Sequence, residues 1–229
     1  MNEFPGYDLP SGQAASEFLY KVYAWMFTGL SISGITAYIV AVVFPTVIQN
    51  PVILIGLIIA QLALVIALSA FLSRLSLPVA LSMYILYSFL TGITLSFIFH
   101  VYTPGSIFIT FFVTAGMFGS MALYGYFTKT DLTKLGNILL MMLIGIIISF
   151  VVNMFLRSPV FDLLISVLGV VVFSLLTAYD SQKLKEMAHT YVGTPVEREK
   201  LTILGALMLY LDFLNLFLLL LRLLGRQRS

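Results

Sequence analysis

What limits this chain most is missing charge: residues 22–73 hold no Asp, Glu, Lys or Arg, and after Arg74 residues 75–128 hold none either. Runs of that length cannot be wrapped into a water-exposed surface, because an ordinary soluble domain is about 25% charged. Apolar residues make up 60% of the 229-residue chain and charged residues 10%. A helix needs roughly 20 apolar residues to cross a bilayer, so the composition allows about six or seven crossings. In hydrocarbon every backbone N–H and C=O must be satisfied internally, and these segments are too long and too uniformly apolar to alternate as barrel strands. The sequence predicts an all-α, polytopic membrane protein.

Turn chemistry cuts the runs into spans. Pro45, Gln49, Asn50 and Pro51 separate a crossing at 20–44 from one at 52–72, and Tyr102-Thr103-Pro104-Gly105 separates 77–101 from 106–127. A fifth span covers 135–156. A sixth begins near Pro159, runs through Asp180 and continues toward His189. Thr194-Pro195-Val196-Glu197 then reads as a helix start, with Thr as cap, Pro in the first turn and Glu closing a capping box, so the seventh helix runs from there to about Leu224. Residues 1–19 are left as an N-terminal cytoplasmic segment and 20–229 as one seven-helix transmembrane domain. The opening carries Glu3, Asp8 and Glu17 with Pro5 and Pro10, the reverse of a basic signal-peptide start, so no cleaved leader is expected.

Cations mark the cytoplasmic side. With the N-terminus inside, Lys21, Arg74, Lys129, Lys134, Lys183, Lys185, Arg198 and Lys200 all fall in the cytoplasm, and Arg157 alone occupies an outer loop between helices. The tail cations Arg222, Arg226 and Arg228 oppose this count: seven full crossings put them outside, whereas a re-entrant last segment keeps them inside. A formal charge of +2 without clustering gives no nucleic-acid surface, and zero cysteines exclude disulfides, thiolate chemistry and cysteine metal sites.

An ionisable side chain inside a membrane costs about 2.5–3.5 kcal/mol on insertion scales and is kept for a use or a partner. Asp212 sits near the middle of the last span, and Asn215, three residues on, shares its helical face with Met208 and Gly205. Asp180 closes the apolar run 163–179, with Thr177 and Gly169 on the same side of its helix. The turn between the sixth and seventh helices lies midway between the two acids, so an antiparallel hairpin places both carboxylates at similar depth. Two carboxylates in a poorly hydrated site do not comfortably both ionise, and the pair would share a proton. Ionised, the same oxygens are hard ligands suited to Ca²⁺, so proton and cation would compete. The structural alternative makes Asp180 a solvated helix-end residue and leaves Asp212 neutralised by an Arg or Asn.

The stretch Ala178-Tyr179-Asp180-Ser181-Gln182-Lys183-Leu184-Lys185, followed by Leu209-Tyr210-Leu211-Asp212-Phe213-Leu214-Asn215-Leu216-Phe217 and a basic tail, resembles the Bax inhibitor-1 family of membrane proteins. Thr91-Gly92-Ile93-Thr94-Leu95 and Ala70-Phe71-Leu72-Ser73-Arg74 also resemble its bacterial members. The resemblance implies seven helices with the last enclosed by the other six, and a pH-sensitive Ca²⁺ leak. It assigns Asp180 and Asp212 to a di-aspartyl sensor lining the ion pathway. It also assigns Arg74 to a latch that pairs with Asp212 and holds the pore closed. Read alone, Arg74 is a snorkelling cation at a helix end. Calcium enters as permeant or bound ion, and no organic cofactor is expected. The partners are the lipid bilayer, calcium and protons, in a bacterial inner membrane.

The remaining features read as packing. Gly116-Met117-Phe118-Gly119-Ser120 and Gly29 through Gly34 supply small residues for close helix approach. Trp25, Tyr84, Tyr87, Tyr102 and Tyr124 are core or interfacial aromatics, and His100 a helix-end residue. Two aspartates on neighbouring helices are also similar to intramembrane aspartyl proteases, but Leu209-Tyr210-Leu211-Asp212 lacks the Gly-x-Gly-Asp those enzymes carry. Neither a Gly-x-Ser-x-Gly motif nor a retinal-binding lysine in the last helix is present, and no enzymatic step is expected. The rival function is interaction: some bacterial relatives associate with a membrane-bound protease and restrain it, and the family is linked to stress and cell-death control.

Overall fold

The computed structural model describes residues 12–46, 50–191 and 193–228; Gln49 and the first eleven residues of the N-terminal segment lie outside them. The helices are α1 (Gly12–Val43), α2 (Pro51–Phe71, extended by a 3-10 turn at Leu72–Arg74), α3 (Leu77–Leu95), the one-turn α4 (Ile98–Val101), α5 (Pro104–Phe127), α6 (Thr133–Leu156), α7 (Pro159–Thr190) and α8 (Pro195–Leu224). With α2 joined to its turn and α3 to α4, seven segments are long and apolar enough to cross a membrane.

Helix starts follow local chemistry. Pro51, Pro104, Pro159 and Pro195 are the first residues of their helices, where the missing N–H forfeits nothing. The Asn50 side chain accepts from Val52 N–H at 3.0 Å. At α8 the capping box forms as its sequence pattern predicts: Thr194 Oγ1 accepts from Glu197 N–H at 3.2 Å, and Glu197 Oε2 accepts from Thr194 N–H at 2.9 Å. The start of α1 differs from the expected boundary near Tyr20. Helix extends back to Gly12 because Ala15, Phe18 and Leu19 are buried and because Lys21 is paired with both Glu17 and Glu199, so the charges that suggested a boundary neutralise one another.

The chain divides into two compact units, one formed by the residues up to Phe97 with Lys183–Met208, the other by Ile98–Gln182 with Leu209–Ser229. In the first, α1 packs on α3 through a hydroxyl seam. Tyr84 donates to the Trp25 carbonyl at 2.8 Å and Ser33 to the Ser88 carbonyl at 2.7 Å. Gly29 gives the Tyr84 hydroxyl its space, and Gly205 gives α8 its approach to Leu184 and Val22. Arg198 donates to the carbonyls of Ala14 and Ala188.

In the second unit, α5, α7 and the end of α8 touch pairwise. Gly125 lies against the Ala178 carbonyl and Gly169 against Leu219. Phe118 meets Phe213 with ring centroids 5.5 Å apart. Arg222 at the end of α8 pairs with Asp162 in the first turn of α7 at 3.1 Å. The residues after α8 fold back on the α4–α5 connection: Thr103 N–H donates to the Arg226 carbonyl at 3.0 Å and Arg228 N–H to the Val101 carbonyl at 2.9 Å. This end of the unit therefore gathers the tail, residues 101–103 and the start of α7. The last segment is one continuous helix and not a re-entrant hairpin, so its end stands opposite its beginning.

Burial ranks the helices. In α8, 72% of the membrane-length window is buried inside the protein, against 6% in α2 and 44% in α7. Large apolar side chains exposed on the other helices, such as Ile59, Phe108, Met141 and Phe155, suit lipid. The expected packing glycines need correction. Gly34, Gly116 and Gly119 have no neighbour in reach of an added Cβ, whereas Gly29, Gly92, Gly125, Gly136, Gly169 and Gly205 are the close-approach sites.

Candidate functional site

Asp180 lies in the last third of α7 and Asp212 past the middle of α8, both in the second unit. The two carboxyls lie within hydrogen-bonding reach of each other. Asp212 is 5% exposed, and among the described residues it is the only acid or base that is fully buried. Its Oδ2 is sealed from solvent without a hydrogen-bond partner. Asp180 is half-buried, so it connects the pair to a less enclosed region.

The neighbouring chain fixes Asp180. Ala178, two residues before it, backs onto Gly125 of α5, and the Tyr179 ring lies against Gly136 of α6. Two residues after it, Gln182 is buried and ties down the α5–α6 connection, accepting from Leu132 N–H and donating to the Thr130 carbonyl, each at 2.8 Å. Between them Ser181 Oγ is buried with no partner. The sequence does not single out Gln182 or Ser181, the two residues after Asp180. Both lie inside the Asp180 motif, but nothing local distinguishes a clamping carboxamide from a solvated one.

The other candidates are placed differently. Thr177 is buried, but its hydroxyl donates to the Phe173 carbonyl of its own helix at 2.8 Å. Asn215 is half-buried with no hydrogen-bond partner among the described residues. Arg74 is exposed at the end of its 3-10 turn, with no ion-pair partner among the described residues. No group of three or more His, Cys, Asp or Glu side chains converges among the described residues, so a cation at Asp180 and Asp212 would draw its other ligands from water, hydroxyls or carbonyls.

Seven membrane-length helices, with a carboxyl pair held between the last two, define a multi-pass integral membrane protein whose interior carries ionisable chemistry. The chain belongs to the Bax inhibitor-1 family: the family described as "Inhibitor of apoptosis-promoting Bax1" matches residues 15–229. It is 49% identical to the inner membrane protein YbhL of Escherichia coli K12 over the full length of both chains. It is also 46% identical to a protein of Borreliella burgdorferi, over 93% of this chain and 94% of that one. A Rickettsia prowazekii protein is 41% identical over 93% of this chain and 90% of its own length.

Proposed function

We propose that this protein is a calcium-permeable leak of the bacterial inner membrane, controlled by the proton shared between Asp180 and Asp212. The observation that carries the reading is the carboxyl–carboxyl contact. Two carboxylates repel, and a hydrogen bond between them requires a proton on one. With the proton in place the pair ties α7 to α8. Without it two negative charges share a site enclosed by helices, and relief comes from separation or from a divalent cation that takes the same oxygens. Proton and Ca²⁺ thus exclude each other, and the tie between two helices becomes a two-state element that pH biases. The family pattern adds Arg74 as a latch for the closed state.

Orientation belongs to the same reading. The eight cations from Lys21 to Lys200 that mark one side outweigh Arg157, Arg222, Arg226 and Arg228 on the other, which puts the N-terminus in the cytoplasm. YbhL is named an inner membrane protein, and the same location is proposed here.

The test is calcium flux into proteoliposomes of purified protein across a pH series. Wild type is expected to pass Ca²⁺ in a pH-dependent way, and the double variant Asp180→Asn/Asp212→Asn to lose that dependence. Equal flux from both at every pH would reject the mechanism.

A further inference from the structure

The tail cations run against the count that marks one side of the membrane, and the fold holds them in place. After α8 the chain passes Gly225, which lies against the Tyr102 ring, and Gln227 pairs with Tyr102 in an antiparallel bridge. Backbone bonds on either side of the bridge join Thr103 to Arg226 and Arg228 to Val101. Arg226 N–H also donates to Ser106 Oγ at 2.9 Å, and Arg228 Nη1 to the Phe99 carbonyl at 2.9 Å. Alternate residues of bridged, extended backbone share a face, so Arg226 and Arg228 leave the chain on the same side, with Cα atoms about 6–7 Å apart.

No acid in the unit is placed to neutralise them. Of the four acids among its described residues, Asp131, Asp162, Asp180 and Asp212, only Asp162 lies toward this end, and it is paired with Arg222 at 3.1 Å. Arg226 and Arg228 are exposed and have no ion-pair partner among the described residues. Fixing two like charges side by side is unfavourable, and an anion between them reverses the sign. The planar guanidinium fork fits phosphate oxygens, and the bond of Arg228 to Phe99 uses one of its five N–H groups. Ser106, which anchors Arg226, stands at the head of an apolar strip. Ile109 and Val113, three and seven residues on along α5, share its helical face and are 64% and 42% exposed. Cations at a helix end above exposed apolar side chains are the two surfaces that a charged headgroup and its acyl chain need together.

We propose that Arg226 and Arg228 bind the phosphate of an anionic glycerophospholipid, with an acyl chain lying along Ile109 and Val113. The bonds from Val101, Thr103 and Ser106 pre-order the arginines, so less freedom is lost when the lipid arrives. The site stands apart from the carboxyl pair and does not depend on the leak reading.

The experiment is native mass spectrometry of the purified full-length protein in neutral detergent, with phosphatidylglycerol or phosphatidylcholine of identical acyl chains added. Wild type is expected to retain phosphatidylglycerol several-fold more than phosphatidylcholine, and Arg226→Gln/Arg228→Gln to retain the two alike. Lys129→Gln/Lys134→Gln, which removes the same charge from exposed positions at the other end of α5, is expected to keep the wild-type preference. Should the double arginine variant not fold, Arg226→Gln carries the test, because the Arg226 side chain has no hydrogen bond or ion pair among the described residues; it is expected to lose most of the preference. Wild-type preference in the folded arginine variants, or an equal loss in the lysine variant, would overturn the site. Release of the lipid by millimolar inorganic phosphate would make it a site for a free anion and overturn the lipid assignment.

Discussion

Arg222 and Asp162 close α8 onto α7, Nη1 to Oδ1 at 3.1 Å. Asn153 Nδ2 donates to the same oxygen at 3.3 Å, and the guanidinium lies 5.0 Å from the centre of the Phe150 ring. Both charged side chains are partly exposed, so in water such a pair contributes only about 0–1 kcal/mol. The ring stacking and the Asn153 bond raise the expected cost of Arg222→Ala to about 1–2 kcal/mol. Thermal unfolding in detergent should show it as a lowered Tm, with Arg222→Lys intermediate because it keeps the charge and loses the planar fork.

Gln182 is the more consequential clamp. Gln182→Leu strands the Leu132 N–H and the Thr130 carbonyl, at about 1–3 kcal/mol for each group left unpaired in a buried setting. Hydrogen exchange at the Leu132 amide should quicken ahead of the α7 amides. Unchanged protection there would mean that water replaces the carboxamide.

The close-approach glycines give a paired test. Gly125→Ala pushes a methyl into the Ala178 carbonyl, a backbone atom that cannot swing aside, and should cost about 1–3 kcal/mol. Gly116→Ala meets nothing and should be neutral or stabilising by up to about 1 kcal/mol, the helix propensity gained. Tm values of the two variants against wild type decide it.

The reading of this sequence succeeded where the signal is local. Pro159 and Pro195 start helices as first-turn geometry predicts, Pro51 and Pro104, expected in the turns before residues 52 and 106, start theirs as well, and Thr194 with Glu197 predicts a box that needs only four consecutive residues. It failed where partners are distant. Glu17 and Lys21 look like a boundary until Glu199 arrives beside them, and Gly116 and Gly125 look alike until α7 is placed. Asp212 stands out as a carboxylate inside an apolar run and Asp180 as the one that closes the run 163–179, whereas the partners of Asp162, at the other end of that run, and of Gln182 show only once the helices are placed.

Outside the spans, Asp131 lies two residues before the first residue of α6. Its carboxylate accepts from Thr133 N–H at 2.9 Å, and the side-chain and backbone bonds to Thr133 hold its pKa below the ordinary carboxylate value. A depressed folded-state pKa stabilises above the unfolded value of about 3.9 and loses that stabilisation as pH falls through the folded value. Exchange at the Thr133 amide, corrected for intrinsic rate, should therefore speed up below about pH 4 in wild type. In Asp131→Ala it should be fast throughout.

The C-terminal residues should behave as part of the fold. Removing residues 226–229 frees Thr103 N–H and the Val101 carbonyl, so the Thr103 amide is expected to lose its protection while amides within α5 keep theirs. Protection unchanged at Thr103 would place the tail off the 101–103 connection.

The claim that protons and Ca²⁺ occupy the same two carboxyls can be measured without transport. Ca²⁺ added to purified protein in weak buffer with a pH-indicating dye should release protons from wild type. It should release none from Asp180→Asn/Asp212→Asn, and Mg²⁺ should release fewer because it gives up its water reluctantly. Equal proton release from wild type and the double variant, or none from wild type at any pH, would contradict the account.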